Sequence, residues 1–142
     1  NSFVWLEPFA YIPWYLRLFL WPLVGWPVYW MTFGTAVGRR LTNRALADHR
    51  DDRTDMLATF ERSPIDVPHR YLELFDRLPD APSFKDVPGD KRLVYGDRTF
   101  EAVRDSVRQW TQVWPNARTV CIESAGHLPL EERPDAVAEL IF

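Results

Sequence analysis

Cysteine is nearly absent from this chain: Cys121 is the one thiol among 142 residues. A single thiol excludes a disulfide framework and a thiolate metal cluster, and a reducing, cytoplasmic compartment is expected. Histidine is scarce as well. His49, His69 and His127 lack the spacing of metal ligands, so no metal and no other cofactor is expected. Surplus positive charge is missing too. The formal net charge is −3 and no basic stripe with interleaved aromatics occurs, which excludes nucleic acid as an expected partner. Nor does the chain have the polarity of a disordered one. With 46% hydrophobic and 15% aromatic residues it reads as globular, and its length suits one domain with a core rather than two.

What is present is unevenly spread. Residues 1–47 carry four arginines and one glutamate, a balance of +3 that leaves −6 for the remainder, and they hold five of the seven tryptophans. Composition shifts near Arg39-Arg40, and again after the stretch LPDAPSFKDVPGDK at 78–91. Residues 18–38, LFLWPLVGWPVYWMTFGTAVG, contain no charge over 21 positions, long enough for a membrane span. Pro22 and Pro27 argue against one, because each costs up to about 3 kcal/mol inside a helix. Trp21, Trp26 and Trp30 run through the middle of the stretch, whereas a spanning helix concentrates such residues at its two ends. An early basic region and a small-residue cleavage site are missing, so a signal peptide is not expected either. Burial is preferred to membrane association, and the broken aromatic stretch suits a lid or pocket wall.

Residues 40–78 predict helices. Leu41, Ala45, Leu46 and His49 recur at helical spacing, as do Met56, Leu57 and Phe60, and then Tyr71, Leu72 and Phe75 before Pro79. His69, beside Pro68 at a helix start, is read as a solvated or capping residue. From Arg92 the grammar changes. RLVYGD at 92–97 is a short β-prone run ended by Gly96, and RTVCIE at 118–123 is a second. Between them Val103, Val107, Trp110 and Trp114 step along one helix face until Pro115 closes it. After the second run comes SAGHLPLEERPDAV at 124–137, in which a glycine-flanked turn carries His127 and Pro134 opens a last helix with Val137, Leu140 and Ile141 on one face. Strands joined by a helical crossover are expected to be parallel, with function at their carboxyl ends, where Asp97 and His127 both fall.

These residues resemble the last two strand–helix units of the α/β-hydrolase superfamily. LVYGDRT, a helix, and then WPNARTVCIESAGHLPLEERPDAVAELI follow the family's order, and Gly126-His127, Glu132 and Pro134 match its G-H-x-x-x-x-E-x-P element position by position. The resemblance implies a partial α/β-hydrolase fold: 1–8 as the end of a sixth strand and its lead-in, 9–80 as a helical, aromatic-rich cap, and 81–142 as a core segment with two parallel C-terminal strands. It implies that His127 is the general base of a nucleophile–His–acid triad acting on a small apolar substrate, an ester, epoxide or alkyl halide. NSFVW at 1–5 is similar to a stretch of some haloalkane dehalogenases, and Trp5, Trp14, Trp26 and Trp30 would line the substrate pocket, with cap core as their alternative role.

Two departures qualify the match. The family's acid usually fills the fourth position of G-x-x-D, which here is Thr99, a neutral hydroxyl. Asp97 on the same turn is the first substitute and Glu7, after the presumed sixth strand, the second; Asp97 could equally cap the following helix. The second departure is the nucleophile. Ser2, Ser63, Ser83, Ser106 and Ser124 all lack the G-x-S-x-G frame, and no aspartate has its equivalent. The expected partner is therefore a missing N-terminal half of the fold, without which the chain should be inactive. The alternative from another class is a non-catalytic, hydrolase-like ligand binder, or a membrane-associated module using residues 9–38.

Overall fold

The computed structural model describes residues 3–6, 9–51, 55, 57–58 and 62–141. They divide into two compact units. The helical unit comprises 12–47 and 55–78; the sheet unit comprises 1–11, 48–54 and 79–142.

In the helical unit, α1 (Trp14–Arg17) precedes the long apolar stretch, α2 (Gly25–Tyr29) lies within it, α3 (Ala36–Ala45) starts at its end, and α4 spans Asp66–Asp76. The prolines do the breaking. Trp21 before Pro22 is extended, and Leu23 takes a left-handed φ of 72° that a leucine adopts only at a steric cost. Pro27 is accommodated because it lies in the first turn of α2, where an amide would lack a helical acceptor. A π turn over Trp30–Gly34 follows, and the Thr35 hydroxyl accepts from Gly38 N at 3.0 Å to cap α3. No described helix is long and apolar enough to cross a membrane.

The unit's core is aromatic. Tyr29, 2% exposed, meets the rings of Phe19, Phe33 and Trp26. His69 belongs to the same cluster: its ring lies 4.8 Å from that of Tyr29 and 5.1 Å from that of Trp26, and its Nε2 is 3.1 Å from the Phe19 carbonyl. The expectation of a solvated or capping histidine is corrected. The residue sits one turn inside α4, on the face packed against aromatics, with only 12% of its side chain exposed. Of the helical pattern at 56–60, Met56 and Phe60 lie outside the described residues.

The sheet unit is a three-stranded parallel sheet in the order β1 (Phe3–Leu6), β2 (Lys91–Gly96), β3 (Arg118–Ile122). The two C-terminal strands are parallel and adjacent, with Val94 opposite Val120 and Gly96 opposite Ile122, as the alternation of strand and helix implied. The third strand comes from the chain start, which pairs Leu6 with Val94.

Period-two geometry sends Leu93 and Val94 to opposite faces, and both are fully buried. Leu93 packs with Val107, Trp110 and Trp114 along helix α5 (Glu101–Val113). Val94 packs with Ile122, Ala125 and Val137, the last on helix α7 (Pro134–Ile141), which follows the short α6 (Pro129–Glu132). A parallel sheet covered on both faces needs apolar residues at consecutive positions, and burying each such side chain stabilises the fold by about 1.5–3 kcal/mol. The architecture is α/β, with helices on both sides of a parallel sheet.

Candidate functional site

β2 and β3 end side by side, and the turns that follow are tied together. Asp97 N donates to the Ile122 carbonyl at 3.1 Å and Arg98 N to the Ala125 carbonyl at 3.0 Å. The Arg98 guanidinium reaches the Ser124 carbonyl at 3.2 Å. Gly96 is required by this closeness, since a Cβ there would lie 2.2 Å from the Gly126 carbonyl oxygen.

The turn bearing His127 is held residue by residue. Ser124 takes the left-handed φ of 56° that a tight turn needs. Gly126 is required by the approach of another stretch of backbone: a side chain there would meet the His49 carbonyl oxygen at 2.3 Å. Its amide donates to the Glu132 carboxylate, and the next amide, His127 N, donates to the His49 carbonyl at 2.7 Å. Glu132 is buried, and its second oxygen has no partner among the described residues. A buried carboxylate receiving a backbone N–H fixes that peptide firmly, which explains why a glutamate follows the histidine at this spacing.

The His127 ring lies between two aromatic edges, with centroids 5.8 Å from Phe9 and 4.6 Å from Phe100. Its Nδ1 is 3.3 Å from the hydroxyl of Thr99, which is fully buried. Asp97 lies on the same turn, but its carboxylate accepts from Ser124 N at 3.0 Å, and none of the described hydrogen bonds joins it to His127. It does not cap α5 either, whose N-cap is Phe100 without a side-chain bond. The Asp97 carboxylate thus staples the two turns through Ser124 N. Glu7 lies outside the described residues.

The structure places the other candidates as follows. Trp14, Trp26 and Trp30 belong to the helical unit and are 75%, 44% and 50% exposed. Trp5 lies on β1, and its side chain is outside the described set. Ser106 donates to the Ala102 carbonyl inside α5 and is not presented as a nucleophile. Cys121 is exposed, and its thiol is pushed up, first by desolvation, which disfavours the reactive thiolate.

Sequence reasoning missed His49. Grouped there with a helical face, it instead follows the end of α3, in a short 3-10 turn over Ala47–His49. No local pattern marks a backbone carbonyl as the partner of a residue so far along the chain.

The comparisons with known proteins agree with this geometry. A family model described as the alpha/beta hydrolase family matches residues 2–140. The crystal structure of BpoC from Mycobacterium tuberculosis H37Rv, described as a non-heme bromoperoxidase, superposes with a TM-score of 0.67 at 19% identity. The match covers 99% of this chain and 55% of that one, so the chain spans about half the length of this structural neighbour. No curated protein matches. With a parallel sheet, a histidine turn at its carboxyl edge and a family match over nearly its whole length, the chain belongs to the alpha/beta hydrolase family.

Proposed function

We propose that this chain supplies the cap and the base-bearing part of a capped α/β-hydrolase acting on a small apolar substrate. The observation that carries the reading is the His127 ring at the carboxyl edge of the parallel sheet, fixed at Nδ1 by Thr99 and at its own amide by His49. With Nδ1 turned towards the Thr99 hydroxyl, the role of base falls to Nε2. A serine nucleophile would be activated by His127 for attack on an ester, and the acyl-enzyme would then be hydrolysed by water activated at the same nitrogen. An aspartate nucleophile would attack carbon without prior deprotonation, releasing halide or an epoxide oxygen that takes up a proton, and leaving His127 to activate only the water. The nucleophile comes from a segment outside these 142 residues. The exposed indoles of Trp14, Trp26 and Trp30 in the helical unit suit an apolar substrate.

The acid is assigned to Glu7. Asp97, the first choice from sequence, has its carboxylate engaged by Ser124 N. Glu7 directly follows β1 and precedes by two positions Phe9, whose ring meets that of His127.

The test uses the protein that includes the nucleophile-bearing segment. With p-nitrophenyl butyrate it should release p-nitrophenolate and, for a serine nucleophile, gain the mass of a butyryl group. An aspartate nucleophile should instead gain an alkyl adduct from an epoxide or a chloroalkane. Absence of turnover and adduct with all three classes would favour the second reading, a hydrolase-like binding protein, to which the neutral Thr99 at Nδ1 lends support.

A further inference from the structure

We infer that His49 is a positioning residue for His127, acting through the stretch Arg98–Phe100; the inference rests on the hydrolase reading of His127. Three contacts carry it. The main-chain carbonyl of His49 accepts from His127 N at 2.7 Å. The His49 ring packs on Phe100 at 4.4 Å between centroids, and Phe100 in turn meets the His127 ring at 4.6 Å. The Nδ1 of His49 is 2.9 Å from the carbonyl oxygen of Arg98. A carbonyl only accepts, so this nitrogen carries the proton and the tautomer of His49 is set.

The consequence lies in what Arg98–Phe100 holds. Thr99, between the two residues His49 touches, supplies the Nδ1 partner of His127, and Phe100 forms one wall of its ring. Releasing the Arg98 carbonyl would let both drift. A general base acts only within a few tenths of an ångström of its productive position, and a misplacement of about 1 Å costs up to about 100-fold in rate. A contact of this kind acts on the turnover step and leaves the binding of an apolar substrate alone.

Two substitutions separate the ring from the donor. His49→Phe keeps a ring against Phe100 and removes the Nδ1 donor; His49→Asn removes the ring and keeps an N–H in the place of Nδ1. In the nucleophile-bearing protein, His49→Phe should lower kcat on p-nitrophenyl butyrate about 10-fold, with KM changed less than about twofold. His49→Asn should retain at least half of the wild-type kcat. The ¹⁵N signals of the His127 ring should move in the Phe variant and stay in place in the Asn variant, a readout that needs no turnover. Unmoved ring signals with wild-type kcat in His49→Phe would overturn the inference, and so would equal impairment of both variants. If the wild-type protein shows no turnover at all, the hydrolase reading fails, while the ring signals still decide whether His49 positions His127.

Discussion

His127→Ala should abolish ester turnover in the nucleophile-bearing protein, lowering kcat by about four orders of magnitude or more, while the fold survives. The loss is large because members of a triad act as a unit, and removing the base leaves only substrate binding and the oxyanion site. The fold should persist because the amide of residue 127 still donates to the His49 carbonyl and the preceding amide still donates to Glu132. What disappears is the ring's edge contacts with Phe9 and Phe100, each worth about 0.5–1.5 kcal/mol. Initial rates on p-nitrophenyl butyrate beside a thermal melt check both halves of the statement. A serine nucleophile then stays unacylated, whereas an aspartate nucleophile offered an epoxide or a chloroalkane accumulates its alkyl ester because only the hydrolytic step needs the base. Turnover within tenfold of wild type would remove His127 from the chemistry.

The second large effect separates the two carboxylates. Glu7→Gln should lower kcat by about three to four orders of magnitude, because a neutral amide does not stabilise the imidazolium. Asp97→Asn should leave kcat within about threefold, since the asparagine carbonyl can still accept from Ser124 N and keep the two turns together. Both variants are compared by kcat and KM on the same ester. The reverse order, with Asp97 essential and Glu7 dispensable, would return the acid to the turn after β2.

The sheet unit was legible in the sequence because its signals are local and agree. Val103, Val107, Trp110 and Trp114 at helical spacing became the buried face of α5 and its end, and Pro134 opens α7 as expected. Two apolar runs joined by that helix became parallel neighbours. The turn chemistry was less legible. The sequence shows a glycine-flanked turn, but not that Ser124 takes its left-handed position or that Gly126 is needed because the backbone at His49 passes close by. Asp97 and Thr99 lie two residues apart on one turn, and only the path of that turn decides which one reaches the imidazole. His49 and His69 were misread for a shared reason. Their partners, Phe100 and the Phe19–Tyr29 cluster, are remote in sequence, and a lone histidine carries no pattern that announces them.

The central claim is that these residues hold the base of a site whose nucleophile lies elsewhere. The most direct measurement is turnover of p-nitrophenyl butyrate by the 142-residue chain alone, beside the same chain joined to the nucleophile-bearing segment. The chain alone should show no release above buffer, and the joined protein should show release that His127→Ala removes. Steady, His127-dependent turnover by the chain alone would mean that a nucleophile lies within it, and would contradict the account.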